Sequence, residues 1–196
     1  DRSDPSWFKR AEASSQTALA LDDQLALGFA AKSFIRWQQD QNEKALELAE
    51  RALQLDPSSL FALNTKIGAL MDLERYSEAE RSIDIARKLH PKERIFIDQL
   101  GELNFRQHKY TAAEAAFRES ITVNPDAVYA YANLSAVLLQ QGKGDEALQV
   151  LQQGLQVRPS GQLYSNLGTA LFSRGDYVGA AKAFESRTRI EAHHPG

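Results

Sequence analysis

Residues 131–159 read YANLSAVLLQQGKGDEALQVLQQGLQVRP. Apolar side chains recur in this stretch at i, i+3 and i+7, which is the spacing of one face of an α-helix. These side chains are Tyr131, Leu134 and Leu138. The segment GKG then interrupts the pattern, and a second run of apolar and small residues follows and ends at Pro159. The stretch therefore predicts a helical hairpin with a glycine turn.

The proline that ends this hairpin belongs to a series with a fixed period. Four prolines recur at equal intervals, at Pro57, Pro91, Pro125 and Pro159. An alanine lies twelve residues before each of them, at Ala45, Ala79, Ala113 and Ala147. Small side chains at fixed positions allow helices to cross closely, so this period predicts a chain of stacked two-helix units.

The period divides the chain into predicted segments. They are a degenerate half-repeat or N-terminal capping helix at 1–25, then hairpin units at 26–59, 60–93, 94–127, 128–161 and 162–196, the last with an atypical C-terminal end. A deletion of one residue near Gly161 accounts for the early register of the last unit. In the unit 60–93, the pair Ile67-Gly68 is interpreted as displaced by one residue.

Composition and charge narrow the classes of function. The chain has 196 residues, of which 43% are apolar and 25% charged, and its net charge is −3. This charge gives no basic field for nucleic acid, and no apolar run is long enough to insert directly into a membrane. The absence of cysteine excludes thiolate catalysis and cysteine-ligated zinc. No motif predicts catalytic residues, a metal site or a cofactor, so we interpret the chain as a protein without enzyme activity.

The last unit carries the most specific motif. Its residues are, in order, Tyr164, Leu167, Gly168, Gly175, Tyr177, Ala180 and Phe184. Their order and spacing resemble the tetratricopeptide repeat, and the resemblance covers residues 26 to about 190. It implies an all-α fold, a right-handed α-solenoid of stacked helix-turn-helix units. The repeats are similar to bacterial arrays attached to signalling proteins, so we interpret the chain as an excised region of a larger bacterial protein.

The resemblance also implies where a partner binds, since family members use the concave surface formed by their first helices. The corresponding positions here are Phe34, Trp37, Lys66, Gln99, Glu102, Phe105, Arg106, Tyr129, Asn133, Asn166 and Phe172. Asn133 and Asn166 hold equivalent positions, at which the family often uses an asparagine to bond the backbone of a ligand. The expected function is a scaffold that binds a peptide or protein segment, as a module of a larger signalling or assembly protein.

Several alternatives stay open. In one alternative, the chain is an oligomerisation module that stacks on copies of itself through the ends of the solenoid. In another, it binds a small ligand in the groove. The basic clamp with which some family members grip chaperone tails is not expected, because Asp98 and Glu102 stand where basic or amide side chains are required. Both the bacterial periplasm and the cytoplasm are compatible with the sequence, and the similarity to arrays outside the membrane favours the periplasm.

Overall fold

The computed structural model describes residues 5–193, with side chains described for residues 7–190. Within residues 5–193 the chain forms eleven α-helices and no strand, which confirms the predicted all-α fold of helical hairpins. The helices are α1 (Pro5–Leu21), α2 (Ala26–Gln38), α3 (Asn42–Leu55), α4 (Leu60–Asp72), α5 (Tyr76–Leu89), α6 (Arg94–Arg106), α7 (Tyr110–Val123), α8 (Val128–Gln140), α9 (Gly144–Val157), α10 (Gly161–Ser173) and α11 (Tyr177–His193). The outer limits of the predicted segments 1–25 and 162–196 lie outside the described residues.

The chain divides into two compact units. Unit 1 is Asp1–Gln99 and unit 2 is Leu100–Gly196, so the division falls within α6. In unit 1 consecutive helices from α1 to α5 pack on each other, and α2 also packs on α4. In unit 2 the same holds for α7 to α11, with α8 packed on α10. Each unit thus buries its apolar side chains between neighbouring hairpins.

The hairpins follow one another with the predicted period. Their first helices α2, α4, α6 and α8 begin at equal intervals, at Ala26, Leu60, Arg94 and Val128, and α10 begins one residue early in this series. The start of α10 at Gly161 also lies one residue before the predicted segment boundary. Ser160 explains this start, because its hydroxyl accepts a hydrogen bond from the backbone N–H of Leu163 at 3.2 Å and caps the helix. The segment boundaries themselves stay predictions.

A residue in the left-handed region closes the turn inside each hairpin. These residues are Asp40 (φ 57°), Glu74 (57°), His108 (58°), Gly142 (74°) and Gly175 (85°). The N–H that follows each of them bonds to a carbonyl five residues earlier, as Arg75 does to Leu70 at 2.9 Å. This is the Schellman arrangement, in which glycine is the least strained residue. The glycine turn predicted at residues 142–144 is therefore present.

The loops between hairpins are stabilised by a carboxylate or amide side chain. In three of these loops, a side-chain oxygen accepts a hydrogen bond at 2.9–3.0 Å from the backbone N–H two residues later. The acceptors are Asp22, Asp56 and Asn124. The loop after α1 thus has the chemistry of the loops after α3 and α7. This similarity agrees with α1 as the second helix of a half-repeat, which stays a prediction.

The small residues of the period are buried where helices cross. The alanines at 45, 79, 113 and 147 have no exposed surface. Gly101 of α6 faces the ring of Phe117 in α7, and a Cβ added at this glycine would lie 2.8 Å from the ring. Gly168 faces the ring of Phe184 in the same way. The glycine in the motif therefore makes room for the aromatic residue sixteen positions later.

The predicted displacement of Gly68 in the second hairpin is wrong. Because α4 begins at Leu60 and α6 at Arg94, the residue equivalent to Gly101 is Ile67. Ile67 is fully buried, and the equally buried Ile83 stands where α7 has its phenylalanine. A larger side chain on the first helix and a smaller one on the second thus fill the same space. Gly68 instead lies against the ring of Trp37 in α2.

Candidate functional site

The predicted groove residues of unit 1 contact one another or neighbouring helices. The ring centroid of Phe34 lies 5.2 Å from that of Phe61 and 6.1 Å from that of Trp37. The indole ring of Trp37 covers Gly68, and its N–H donates to Asp72 Oδ2 at 2.7 Å. The groove side of α2 and α4 is therefore filled by the protein's own aromatic side chains.

The two polar groove residues predicted for unit 1 also have partners within the protein. Lys66 Nζ lies 2.9 Å from Glu50 Oε1, so the lysine side chain is directed at α3. Its role in a binding groove stays a prediction. Gln99 Nε2 donates to the backbone oxygen of Asn64 at 3.1 Å and to its Oδ1 at 2.9 Å, and so joins α6 to α4.

Five of the seven predicted groove residues of unit 2 line an open cavity, which we call the unit 2 pocket. It has a volume of about 260 Å³ and lies between the end of α6, α7 and α8. Its lining residues are Glu102, Phe105, Arg106, Phe117, Tyr129, Asn133 and Ala136. Five of these seven were predicted from the sequence, and Phe117 and Ala136 were not.

The two additional residues form part of the apolar wall. Phe117 is 1% exposed and was interpreted only as a core residue of the motif. The absence of a side chain at Gly101 brings its ring close to α6, where it borders the pocket. Ala136 lies three residues after Asn133 on α8, so helical spacing places it on the same face. Extending the groove positions by one helical turn would have identified Ala136.

The charged groups of the unit 2 pocket are paired. Oε1 of Glu102 accepts from Arg106 Nη2 at 2.8 Å and from Arg106 Nε at 3.1 Å. Oε2 of the same carboxylate accepts from the hydroxyl of Tyr129 at 2.9 Å. The arginine neutralises the carboxylate, and the tyrosine ring, which is 48% exposed, is held at the rim of the pocket.

Asn133 and Asn166 occupy equivalent positions but differ in their contacts. Asn166 Nδ2 donates to the backbone oxygen of Ala132 at 2.8 Å and lies 3.1 Å from Ser135 Oγ, while its Oδ1 accepts from Gln162 Nε2 at 3.1 Å. The amide of Asn166 is thus used within the protein. Across the part of the chain that the structure describes, the side-chain amide of Asn133 makes no hydrogen bond.

The last predicted groove residue, Phe172, does not line the unit 2 pocket. It lies at the end of α10, is 59% exposed, and its ring centroid is 5.3 Å from that of Tyr177. Among residues 5–193, no three His, Asp or Glu side chains are grouped to hold a metal ion. None of the helices described has the length and apolar character of a membrane span.

Comparison with protein families gives a match in the region of the pocket. A family model described as tetratricopeptide repeat matches residues 104–171, which include every pocket residue except Glu102. Residues 104–171 are thus identified as tetratricopeptide repeat, and the chain is similar to tetratricopeptide repeat proteins. The small glutamine-rich tetratricopeptide repeat-containing protein 2 of Mycosarcoma maydis is 34% identical over 83 residues, which are 42% of this chain and 24% of that protein. The chain spans between 15% and 26% of the length of the curated relatives it matches.

Solved structures of tetratricopeptide repeat proteins have the same fold. One from Parabacteroides merdae aligns with a TM-score of 0.79 at 19% identity, over 94% of this chain and 72% of that chain. YrrB, described as a tetratricopeptide repeat protein with an unusual peptide-binding site, aligns with a TM-score of 0.60 at 18% identity, over 92% and 93%. The tetratricopeptide repeat is a non-catalytic fold for protein interaction, and this chain is a protein-interaction repeat module.

Proposed function

We propose that the chain binds a peptide segment of a partner protein in the unit 2 pocket. The observation that carries this proposal is the amide of Asn133, which faces the pocket without a hydrogen bond to any described residue. A carboxamide has both donors and an acceptor, and a peptide backbone offers the complementary carbonyl and N–H. In the equivalent position, Asn166 bonds a backbone carbonyl of its own chain, which illustrates the contact that a peptide would supply to Asn133.

The apolar wall supports a side-chain anchor beside the backbone contact. Phe105, Phe117 and Ala136 line the pocket, and its volume of about 260 Å³ is sufficient for one amino-acid side chain. The exposed ring of Tyr129 at the rim adds an aromatic surface of the kind that often contributes most to binding. An extended peptide that inserts one side chain and bonds Asn133 through its backbone satisfies both features of the pocket.

The wider role follows from the family. Tetratricopeptide repeat proteins bind protein or peptide partners, and the matched regions make up only 24% and 15% of two curated relatives. We propose that the chain acts as the interaction module of a larger signalling or assembly protein. The peptide-binding site named for YrrB supports a peptide ligand in this fold class, whereas the position of the site here rests on the unit 2 pocket.

The test is selection of peptides from a random library displayed on phage, with the whole chain as bait. The best peptide is then titrated by fluorescence anisotropy into the wild type and the variants Phe105→Ala and Asn133→Ala. Each variant is expected to lose about 1–3 kcal/mol of binding free energy. Lys182→Ala, an exposed change on α11, serves as control and should bind like the wild type. If only Lys182→Ala weakened binding, the interaction surface would lie elsewhere.

A second candidate function is self-association through the exposed end of unit 2. Phe172, Tyr177 and Val178 are 59%, 65% and 68% exposed and form an apolar surface at the α10–α11 turn. The equivalent of Phe172 in unit 1 is Trp37, which is covered by the next first helix at Gly68. The surface at this turn is thus of the type that a helical hairpin covers, and we propose that a second copy of the chain supplies it.

Self-association is tested by the molar mass in solution as a function of concentration. The wild type is expected to dimerise with rising concentration, while Val178→Ser remains a monomer because its apolar contact is lost. Leu21→Ser in unit 1 removes a side chain that is 85% exposed and provides the matched control. A wild type that stays monomeric at all concentrations would contradict this second function and leave the peptide proposal unaffected.

A further inference from the structure

We infer that Glu102 determines the charge specificity of the unit 2 pocket, so that the pocket accepts an uncharged, apolar side chain of the peptide and rejects a carboxylate. This inference rests on the proposed function and adds the chemical class of the ligand side chain. It follows from the geometry of the charged pair, the composition of the wall and the way in which the two combine.

The first step is the charge balance of the lining. Of the seven lining residues only Glu102 and Arg106 carry a charge, and the two are joined by hydrogen bonds of 2.8 and 3.1 Å. The lining is therefore neutral in sum. The Tyr129 hydroxyl donates a hydrogen bond to the second carboxylate oxygen of Glu102, so both oxygens of this carboxylate accept hydrogen bonds.

The second step is the effect of this pair on a charged ligand. A peptide carboxylate that approached Arg106 would be repelled by Glu102 and would have to compete with it for the same guanidinium N–H groups. A ligand ammonium would meet the converse situation at Glu102. Either sign of charge thus finds its potential partner already engaged and a like charge beside it.

The third step is the apolar wall. Phe105, Phe117 and Ala136 offer no polar side-chain atom to replace the water that a charged group loses on entry, and in the proposed function the amide of Asn133 is bonded to the peptide backbone. Burial of a charge without a partner is unfavourable, whereas an apolar side chain gains by leaving water. The neutral pair and the apolar wall therefore favour the same ligand, a side chain such as that of leucine or phenylalanine.

The inference predicts a change of specificity on removal of one charge. Glu102→Gln keeps the size of the side chain and an oxygen that accepts hydrogen bonds, but removes the negative charge that repels a ligand carboxylate and competes with it for the guanidinium of Arg106. A peptide carboxylate should then be accepted. In the converse variant, Arg106→Gln, the lining keeps the single negative charge, and a lysine side chain should be accepted.

The experiment uses the peptide selected from the library against the whole chain. An alanine scan of this peptide finds its anchor residue, and versions with Asp or Lys at that position are titrated by fluorescence anisotropy at low and high salt. The wild type should bind the Asp version at least tenfold more weakly than the selected peptide. Glu102→Gln should reduce the ratio of the two dissociation constants, Asp version over selected peptide, about tenfold. This reduction should become smaller at high salt, because salt screens the charge.

Matched variants distinguish charge from other effects. Glu114→Gln removes the same charge from another Glu–Arg pair at i,i+4 spacing in unit 2, where Arg118 Nη2 lies 2.9 Å from Glu114 Oε1 outside the pocket. This variant should keep the wild-type ratio, as should Glu102→Asp, which retains the charge. If Glu102→Gln does not fold, Arg106→Gln tests the same balance through the Lys version.

The outcomes separate this inference from the proposed function. If Phe105→Ala and Asn133→Ala weaken the selected peptide but neither charge variant changes the ratio, the inference is overturned and the proposed function stands. The same conclusion follows if the wild type binds the Asp version as well as the selected peptide. If Phe105→Ala and Asn133→Ala leave binding unchanged, or no peptide is selected, the proposed function fails and the inference fails with it.

Discussion

The first helices of unit 1 and unit 2 present equivalent positions on their groove side, but the groove is filled by side chains in unit 1 and holds an open cavity in unit 2. In unit 1 the groove side of α2 is filled, because the ring of Trp37 lies over Gly68 and bonds Asp72. In unit 2 the equivalent of Trp37 is Phe105, which borders an open cavity of about 260 Å³. One backbone arrangement thus supports both a filled groove and an open one.

The difference is set by pairs of residues on neighbouring helices. A large ring with a glycine opposite it closes the groove in unit 1. In unit 2 a smaller ring is combined with the paired Glu102 and with Ala136, and space remains. An aromatic residue at a groove position therefore indicates a binding surface only when the following first helix leaves its ring uncovered.

The largest difference in stability is expected when one aromatic side chain is removed from each groove, Trp37 in unit 1 and Tyr129 in unit 2. Trp37→Ala should lower the unfolding free energy by about 3 kcal/mol, since it empties a packed site. Tyr129→Ala should lower it by only about 1 kcal/mol, because the tyrosine ring is half exposed and its hydrogen bond to Glu102 lies at the rim of the pocket. Urea unfolding followed by circular dichroism measures both. Equal losses would show that the two grooves are filled to the same degree.

The next test replaces each of the two equivalent asparagines, Asn133 and Asn166, with alanine. Asn166→Ala should cost about 1 kcal/mol of stability, because it removes hydrogen bonds to Ala132 and Ser135. Asn133→Ala should leave the melting temperature close to that of the wild type and instead weaken the selected peptide about tenfold. Thermal melts and peptide titrations of both variants check this. A stability loss at Asn133 with no loss of binding would assign it a structural role.

A smaller effect is expected at the hairpin turns, where unit 1 has Glu74 and unit 2 has Gly142 in the same left-handed conformation. Gly142→Ala should destabilise the chain by about 1 kcal/mol, since it places a Cβ in a strained backbone. Glu74→Gly should relieve this strain and stabilise the chain by less than about 1 kcal/mol. Opposite signs in urea unfolding are the required result, and the same sign for both changes would contradict the argument.

The smallest effect concerns acid. A hydrogen bond from Lys143, together with Arg118, lowers the pKa of Glu114 from its ordinary value of 4.5. A lowered folded-state pKa contributes stability above pH 4.5 that is lost as the pH falls through the folded value. Glu114→Gln should therefore be less stable than the wild type at pH 7, with a difference that shrinks below pH 4.5. Thermal melts between pH 3 and 7 measure this.

Unit 1 provides the comparison for the acid effect. Arg75 lowers the pKa of Glu78 from 4.5, but both side chains of that pair are about 40% exposed, against 15% for Glu114. Solvent screens the more exposed pair, so Glu78→Gln should show the weaker pH dependence. A stronger dependence for Glu78 would contradict this order.

The fold could be predicted from the sequence because its period is carried by small residues and prolines whose steric effect is local. The groove residues of unit 2 were predicted from the resemblance, which gives equivalent positions on successive first helices, and Phe105, Tyr129 and Asn133 of this set line one cavity. The displacement of Gly68 was predicted wrongly, because a glycine was taken as the motif position. In that hairpin a buried pair of isoleucines fills the space instead.

The roles of individual groove residues depend on partners that a column of equivalent positions does not show. Asn166 finds the hydroxyl of Ser135 on the preceding first helix, whereas the residue that corresponds to Ser135 for Asn133 is Gly101, which has no hydroxyl. Trp37 was predicted as a groove residue, but its ring is covered by a glycine one hairpin later. Such contacts between hairpins decide whether a side chain stabilises the protein or meets a ligand.

The contacts of Asn166 have a mechanical consequence for unit 2. Its amide ties α10 to α8 at the Ala132 carbonyl and at Ser135, so the two hairpins resist splaying along this edge under tension. On the other side of α8, a peptide in the pocket would form a corresponding link through Asn133 between α8 and the end of α6. A bound peptide would then increase the stiffness of unit 2 against stretching. Force applied to the ends of unit 2 would in turn favour release of the peptide.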